Sequence, residues 1–278
     1  MVWKMKKDFL SAISFEEANN SLKIKDIHQV MKNDKKQNFS VELKKTIILI
    51  LGLVFPVLMA ISFAVDLNDQ SLIISSSIVI VAELLISILM CYHFFRADPP
   101  FLKNYGYTNY CYSIAKLAYI SYFAVGLGMT KGNYSITFLV FLIVILVFLF
   151  LYNKVEKNMI LDEVNKIFGR NYKTSKVLTI MLRFSGVSVV VALVVMQFYR
   201  LNKSWIMSLT GASGSISSNM TDDVIGIVFG IPLLLIITLI PTFLLFKPNL
   251  FVRGEVVKKY AEEFRKATNS TEKEWYGA

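Results

Sequence analysis

The chain has 278 residues, of which 55% are hydrophobic and only 18% charged, and its mean hydropathy is +0.53. Soluble domains average roughly 45–50% apolar and about 25% charged residues, so this composition excludes a disordered, fibrous or secreted chain and predicts a membrane protein. The net charge of +10 does not indicate nucleic-acid binding here, because the basic residues collect on one side of the predicted membrane segments.

The first predicted element is the basic N-terminal segment, residues 1–45. At helical pitch, Trp3, Met5 and Phe9 share one arc of residues 1–15, which favours a helix lying in the membrane interface. A solvated basic tail with accidental periodicity is the alternative. Ser14 and Glu17 have capping-box spacing and predict a second short helix, and residues 32–37 are expected to be a polar linker.

Six apolar runs follow, each long enough for a helix that crosses a bilayer. Such a helix needs about 20 residues at a rise of ~1.5 Å per residue. Lipid offers no hydrogen-bond partners, so each run must satisfy its own backbone groups as a helix. The predicted fold class is an all-α polytopic membrane protein with six transmembrane helices in the domain 46–246. The runs cover residues 46–65, 72–95, 111–130, 134–152, 177–199 and 223–246.

The orientation of these helices follows from the distribution of Lys and Arg. Residues 1–45 hold ten of them and residues 247–278 hold seven. Between the predicted helices on the opposite side there are only Lys131, Arg200 and Lys203. Because basic segments are retained in the cytoplasm during insertion, both termini are predicted to be cytoplasmic and the protein to lie in the plasma membrane. Basic tails of this kind also favour anionic lipid.

Two further amphipathic helices are predicted on the cytoplasmic side. Apolar residues keep helical spacing after the fourth run as far as Phe168, and Gly169 is suited to a left-handed C-terminal cap. A second stripe is expected to form a helix after Gly254 within the C-terminal segment 247–278, where Glu255 and Lys259 are spaced as an i,i+4 pair. We expect the apolar faces of these helices to pack on each other or on the loops, the alternative being a separate cytoplasmic partner.

The largest predicted external loop covers residues 200–222. It contains a flexible Gly/Ser-rich stretch. An apolar patch led by a tryptophan precedes that stretch, and such a patch at the outer interface is typical of an anchor for the fifth helix. A contact surface for an extracellular peptide or protein is the alternative. The patch consists of Trp205, Ile206, Met207 and Leu209.

The most unusual residue of the apolar runs is Glu83, near the middle of the second one. A carboxylate at that depth is costly and predicts either a protonated acid or a cationic partner. Lys116 and Arg183 lie within the third and fifth runs and have stems long enough to turn toward Glu83. These three residues predict a structural polar network, with a solute or proton pathway and an isolated protonated acid as alternatives.

The sixth run has features of helix packing and bending. Gly226 and Gly230 have small-xxx-small spacing, which permits close helix contact. Pro232 and Pro241 follow on the same run, and each removes a backbone donor and predicts a kink.

Catalytic and metal-binding patterns are missing from the sequence. Residues 211–214 read GASG and resemble the nucleophile motif of rhomboid intramembrane proteases, but these four residues lie in a loop. The only histidines, His28 and His93, precede Ser213, whereas that mechanism needs a histidine on a later helix. The two cysteines match no familiar zinc spacing. We therefore predict no enzymatic activity, no metal and no cofactor.

Two functions fit these features. The first is a bacterial plasma-membrane protein that binds a protein or peptide, such as an immunity protein against a membrane-active toxin or bacteriocin. The second is the six-helix permease subunit of a transporter that works with a separate ATPase. The expected partners are the lipid bilayer and either a toxin or an ATPase, and not nucleic acid.

Overall fold

The computed structural model describes residues 10–31, 35–65, 73–96, 101–128, 134–175, 239 and 241–276. These residues are mainly helical, and none of them lies in a strand. In chain order the helices are α1 (Phe15–Ser21), α2 (Ile24–Met31), α3 (Lys35–Val65), α4 (Ile73–Phe95), α5 (Lys103–Gly128), α6 (Tyr134–Phe168), α7 (Pro248–Lys259), α8 (Ala261–Ala267) and α9 (Glu272–Tyr276).

The chain forms two compact units, the first made of Met1–Thr174 with Leu244–Ala278 and the second of Ser175–Phe243. The helices α1 to α9 of the described residues belong to the first unit. The predicted fifth run lies outside the described residues, as does most of the sixth, so the six-helix topology stays a prediction. None of the described helices combines the length and the mean hydropathy that a membrane-spanning helix requires.

Two helix ends form as the sequence predicts. The Ser14 hydroxyl accepts a hydrogen bond from the backbone N–H of Glu17 at 3.2 Å, and α1 begins at the next residue after Ser14. Gly169 has φ +64°, which a glycine adopts without a Cβ penalty, and it directly follows the end of α6. Both caps are confirmed.

Several predicted boundaries are wrong. The helix predicted from residue 111 begins at Lys103, because its tyrosine-rich start is too polar to join an apolar run but can still be helical. The linker predicted over 32–37 already belongs to α3 from Lys35 onward. The helix predicted after Gly254 begins at Pro248, where proline suits the first helical turn, and Gly254 lies inside it.

Helices α3, α4 and α5 pack pairwise against one another. Their shared core contains Ile86 and Met90 of α4 with Tyr110 and Ile114 of α5. Gly52 permits the close approach of α3, since a Cβ at that position would lie 2.7 Å from Cγ2 of Ile114.

The larger core belongs to a group of segments that we name the terminal module: residues 10–31, residues 101 and 102 with the first residues of α5, the last three turns of α6 and residues 246–276. This core joins segments from both ends of the chain, and the predicted packing of the amphipathic helices on one another is confirmed. Its fully buried side chains include Ile13, Val30, Leu102, Ile160, Val164, Val256, Val257, Phe264 and Trp275.

Lys259 forms hydrogen bonds that connect the N-terminal and C-terminal segments of the terminal module. Its Nζ donates to the backbone carbonyls of Leu10, Ser11 and Ile13 at 3.3, 3.1 and 3.0 Å. The Tyr260 hydroxyl also donates to the Ile13 carbonyl, at 2.7 Å. Lys259 therefore caps the backbone of residues 10–13, and an ion pair with Glu255, which its spacing predicted, is not among the described contacts.

We expect Gly254→Ala to destabilise the terminal module by about 1–3 kcal/mol, the usual cost of overpacking a close contact. The Tyr105 ring lies directly on Gly254, and an added Cβ would come within 2.6 Å of the ring Cγ. The ring cannot turn away without losing the hydrogen bond from the Tyr105 hydroxyl to Glu255.

Denaturant unfolding of the purified protein measures this cost. In a Tyr105→Ala background the space is open, so Gly254→Ala should cost clearly less there. Equal costs in the two backgrounds would show that the Tyr105 ring is not the obstacle.

A bidentate ion pair between Arg170 and Glu17 makes the terminal module sensitive to acid. Arg170 donates to the two carboxylate oxygens of Glu17 at 2.8 and 2.6 Å. These hydrogen bonds lower the pKa of Glu17 below its ordinary value of about 4.3, which applies to the unfolded chain. The stabilisation is therefore complete above that value and is lost as the pH falls through the lower, folded-state pKa.

We accordingly expect Glu17→Gln to cost on the order of 1 kcal/mol at neutral pH and nothing measurable in acid. Unfolding midpoints of the two proteins across that pH range test this. A constant difference between them at every pH would contradict it.

Candidate functional site

Glu83 is completely buried, at 0% exposure, on the face of α4 that packs on α5. The Ser121 hydroxyl on α5 donates to its Oε2 at 2.6 Å. Its other carboxyl oxygen, Oε1, is buried and has no hydrogen-bond partner in the described part of the chain. Glu83 and Ser121 thus form a two-residue polar site within an otherwise apolar interface.

A second polar site joins α5 to α6. Lys116 Nζ lies 2.6 Å from Oε1 of Glu156, and the Tyr112 hydroxyl donates to the same oxygen at 2.6 Å. Glu156 is nearly fully buried, with 2% of its surface exposed. The Lys116 ammonium also lies 4.7 Å from the centre of the Tyr152 ring. At that distance the electron-rich ring face attracts the cation, so a cation–π interaction adds to the ion pair of Lys116 with Glu156.

The predicted network of Glu83, Lys116 and Arg183 is therefore arranged differently in the described residues. Lys116 pairs with Glu156, and Glu83 with Ser121. Arg183 lies outside the described residues. Lys116 and Ser121 are five residues apart on α5, about 7.5 Å along the helix, so the two sites are neighbours on one helix.

The predicted site residues do not include Ser121, Glu156, Tyr112 or Tyr152. Glu156 follows the predicted end of the fourth run and lies four residues after Tyr152 on the same helix face. A serine in an apolar run gives no signal of its own, because its hydroxyl can bond to its own backbone. The signal for Glu156 was its position among Val155, Met159 and Ile160, whose stripe indicates a buried face.

The other predicted site residues have little structural description. Trp205, Ile206, Met207 and Leu209 lie outside the described residues, as do Gly226, Gly230 and Pro232. Pro241 is buried and starts the described helical stretch 241–245.

A third feature is a broad surface of exposed apolar side chains on α3, α4 and α6, which we name the apolar surface. Large aliphatic and aromatic side chains are half exposed or more over several turns of each helix. They include Ile50, Leu51, Leu58 and Ile61 on α3, Val81, Leu84, Leu85, Ile88, Tyr92 and Phe95 on α4, and Ile143, Leu146 and Phe150 on α6.

Chemically, the two polar sites can hold protons and charge. The described residues contain no group of three or more His, Cys, Asp or Glu side chains arranged to hold a metal ion. Comparison of the chain with protein-family models, with curated proteins and with solved structures gives no match.

Proposed function

We propose that this chain is a multi-pass protein of a bacterial plasma membrane that acts by binding a protein or peptide, as an immunity protein against a membrane-active toxin does. The observation that carries the membrane part is the apolar surface. Soluble monomers rarely expose contiguous apolar patches larger than a few hundred Å². Side chains such as Leu51, Leu85 and Phe150 gain a favourable environment when an apolar medium such as lipid hydrocarbon covers them.

Spin labels test the membrane part directly. After Cys91 and Cys111 are replaced by serine, single cysteines at Leu51, Leu85 and Phe150 receive a nitroxide in the bilayer-reconstituted protein. We expect oxygen, which concentrates in lipid, to relax these labels more than a water-soluble nickel chelate does. A label at the exposed Lys166 of α6 is the matched control and should show the opposite order. Preferential relaxation by nickel at all four positions would contradict a lipid-facing surface.

The packing of the terminal module favours peptide binding over coupling to an ATPase. A coupling helix needs a free apolar face on which the ATPase can dock. Most apolar side chains of α2, α7 and α8 are instead buried among themselves, as Val30, Val257 and Phe264 illustrate, and Ile24 at the start of α2 is the exposed exception among the large ones. A single specific observation supports the permease alternative. Helix α6 runs unbroken from the apolar surface to the terminal module and could transmit movement between them.

Protection of living cells tests the binding function. The gene is expressed in a toxin-sensitive bacterium, which is then challenged with a panel of membrane-active bacteriocins. We expect the lethal concentration of at least one to rise, and to return to the control value when residues 205–222 are replaced by a Gly/Ser linker. Unchanged sensitivity to the whole panel, together with co-purification of a nucleotide-binding ATPase, would replace this proposal with the permease function.

A further inference from the structure

We propose that Glu83 and Ser121 form a proton-binding site between α4 and α5, in which the Glu83 carboxyl takes up and releases a proton. Among the described residues, the geometry gives this carboxyl one hydrogen-bond partner, the Ser121 hydroxyl at 2.6 Å from Oε2. Oε1 is buried without a hydrogen-bond partner in the described residues. A neutral acid is stable in such a place, whereas a carboxylate would need a cation or several donors.

Lys116 on α5 does not pair with Glu83, because it has other partners. Lys116 is held by Glu156 at 2.6 Å and by the Tyr152 ring. On α3, the ammonium of Lys45 lies over the rings of Phe94 and Tyr110. Phe94 is eleven residues from Glu83 along α4, about 16 Å at helical rise. Lys116 and Lys45 therefore have partners other than Glu83.

The helices that pack against α4 carry other titratable groups, and α4 itself carries Cys91, Tyr92 and His93. Those with described side chains are Glu42, Lys44 and Lys45 on α3, Lys103, Tyr105, Tyr107, Tyr110, Cys111, Tyr112, Lys116 and Tyr119 on α5, and Tyr152, Lys154, Glu156, Lys157, Asp162, Glu163 and Lys166 on α6. In the described contacts, none of them is hydrogen-bonded to Glu83.

The small number of oxygen ligands at Glu83 and Ser121 favours the binding of a proton over the binding of a metal ion. Ca²⁺ takes 6–8 oxygen ligands and Mg²⁺ demands about six in an octahedron. The described residues supply one carboxyl group and one hydroxyl. Proton uptake needs only the carboxyl, and the Ser121 hydroxyl can turn to accept from the protonated acid or donate to the ionised one.

Dicyclohexylcarbodiimide tests the site, because it modifies protonated carboxyl groups in apolar surroundings. We expect the reconstituted full chain to gain one carbodiimide adduct at Glu83, located by peptide mass spectrometry, and to lose it completely in Glu83→Gln. Glu156 is the internal control, since an ion-paired carboxylate should remain unlabelled. Arg183→Gln should leave the labelling of Glu83 unchanged. Labelling that appears only in Arg183→Gln would overturn the proposal, because Glu83 would then be the ionised partner of Arg183.

Infrared spectroscopy separates proton exchange from a permanently neutral acid. We expect the carbonyl band of the protonated carboxyl to titrate reversibly between about pH 5 and about pH 9. Ser121→Ala should shift the midpoint, because it removes the hydroxyl that contacts Oε2. A band that is constant over this range overturns the proposal. If Glu83→Gln does not fold, the pH titration of the carbonyl band in the wild-type protein is sufficient to test the proposal.

This inference rests on the proposed membrane location, but separate experiments test the location and the proton-binding site. The spin labels report location without involving Glu83, and the carbodiimide and infrared experiments report the carboxyl itself.

Discussion

Lys116→Met is expected to destabilise the protein by about 3–5 kcal/mol, the usual cost of removing one partner of a buried ion pair. Methionine has nearly the length of lysine, so packing between α5 and α6 is largely kept. The loss is electrostatic, because the buried Glu156 carboxylate would lose its cationic partner while it keeps the hydrogen bond from the Tyr112 hydroxyl. Unfolding by a denaturing detergent, followed by circular dichroism, measures the change.

The double variant Lys116→Met, Glu156→Gln provides the matched control. It has no charge at this site, and the glutamine can still accept from Tyr112. We expect it to recover most of the lost stability, since a neutral replacement of a buried pair is often harmless. If the double variant is as unstable as Lys116→Met, the cost comes from packing and the electrostatic account is wrong.

Trp275→Ala is the second change with a large expected effect, again about 3–5 kcal/mol. Trp275 is 1% exposed and belongs to the core of the terminal module. Its neighbour Tyr276 packs edge-on against Phe101, with ring centres 5.1 Å apart. Removing the indole therefore leaves a cavity where α9 meets the segment before α5. Thermal unfolding measures the loss, and limited proteolysis shows whether α9 detaches.

Trp275→Phe distinguishes lost volume from a lost hydrogen bond. The indole N–H is buried and has no hydrogen-bond partner among the described residues. Phenylalanine keeps most of the ring and removes that unsatisfied donor. We expect it to cost less than half as much as alanine. A cost equal to that of alanine would mean that the N–H has a partner beyond the described residues.

The sequence predicted those parts of the fold that depend on local chemistry. The cap at Ser14 and the end of α6 at Gly169 follow from the residues within one turn of each position. The continuation of α6 beyond the apolar run follows from its periodic stripe. The start of α5 at Lys103 was missed because hydropathy marks where a helix is apolar and not where it begins. The N-terminal turns of α5 hold polar and tyrosine residues that pack in the terminal module, as Tyr105 does.

The residue pairs of the site were harder to predict because they depend on the relative orientation and register of three helices. Sequence identified Glu83 and Lys116 as costly residues in apolar runs. It could not show that Lys116 meets Glu156, since the register of α5 against α6 decides which carboxylate is within reach. Arg183 and the predicted outer-loop and packing residues other than Pro241 remain predictions.

The bonds from Lys259 to Leu10, Ser11 and Ile13 have a consequence for how the protein is made. The donor and the first of these carbonyls are 249 residues apart in the chain. At a synthesis rate of about 5–20 residues per second, the ribosome needs roughly 12–50 s to pass from one to the other. During that interval α1 and α2 lack α7 and α8, which cover part of their apolar faces. A newly made chain therefore depends for those seconds on a chaperone or on the membrane surface to shield its first helices.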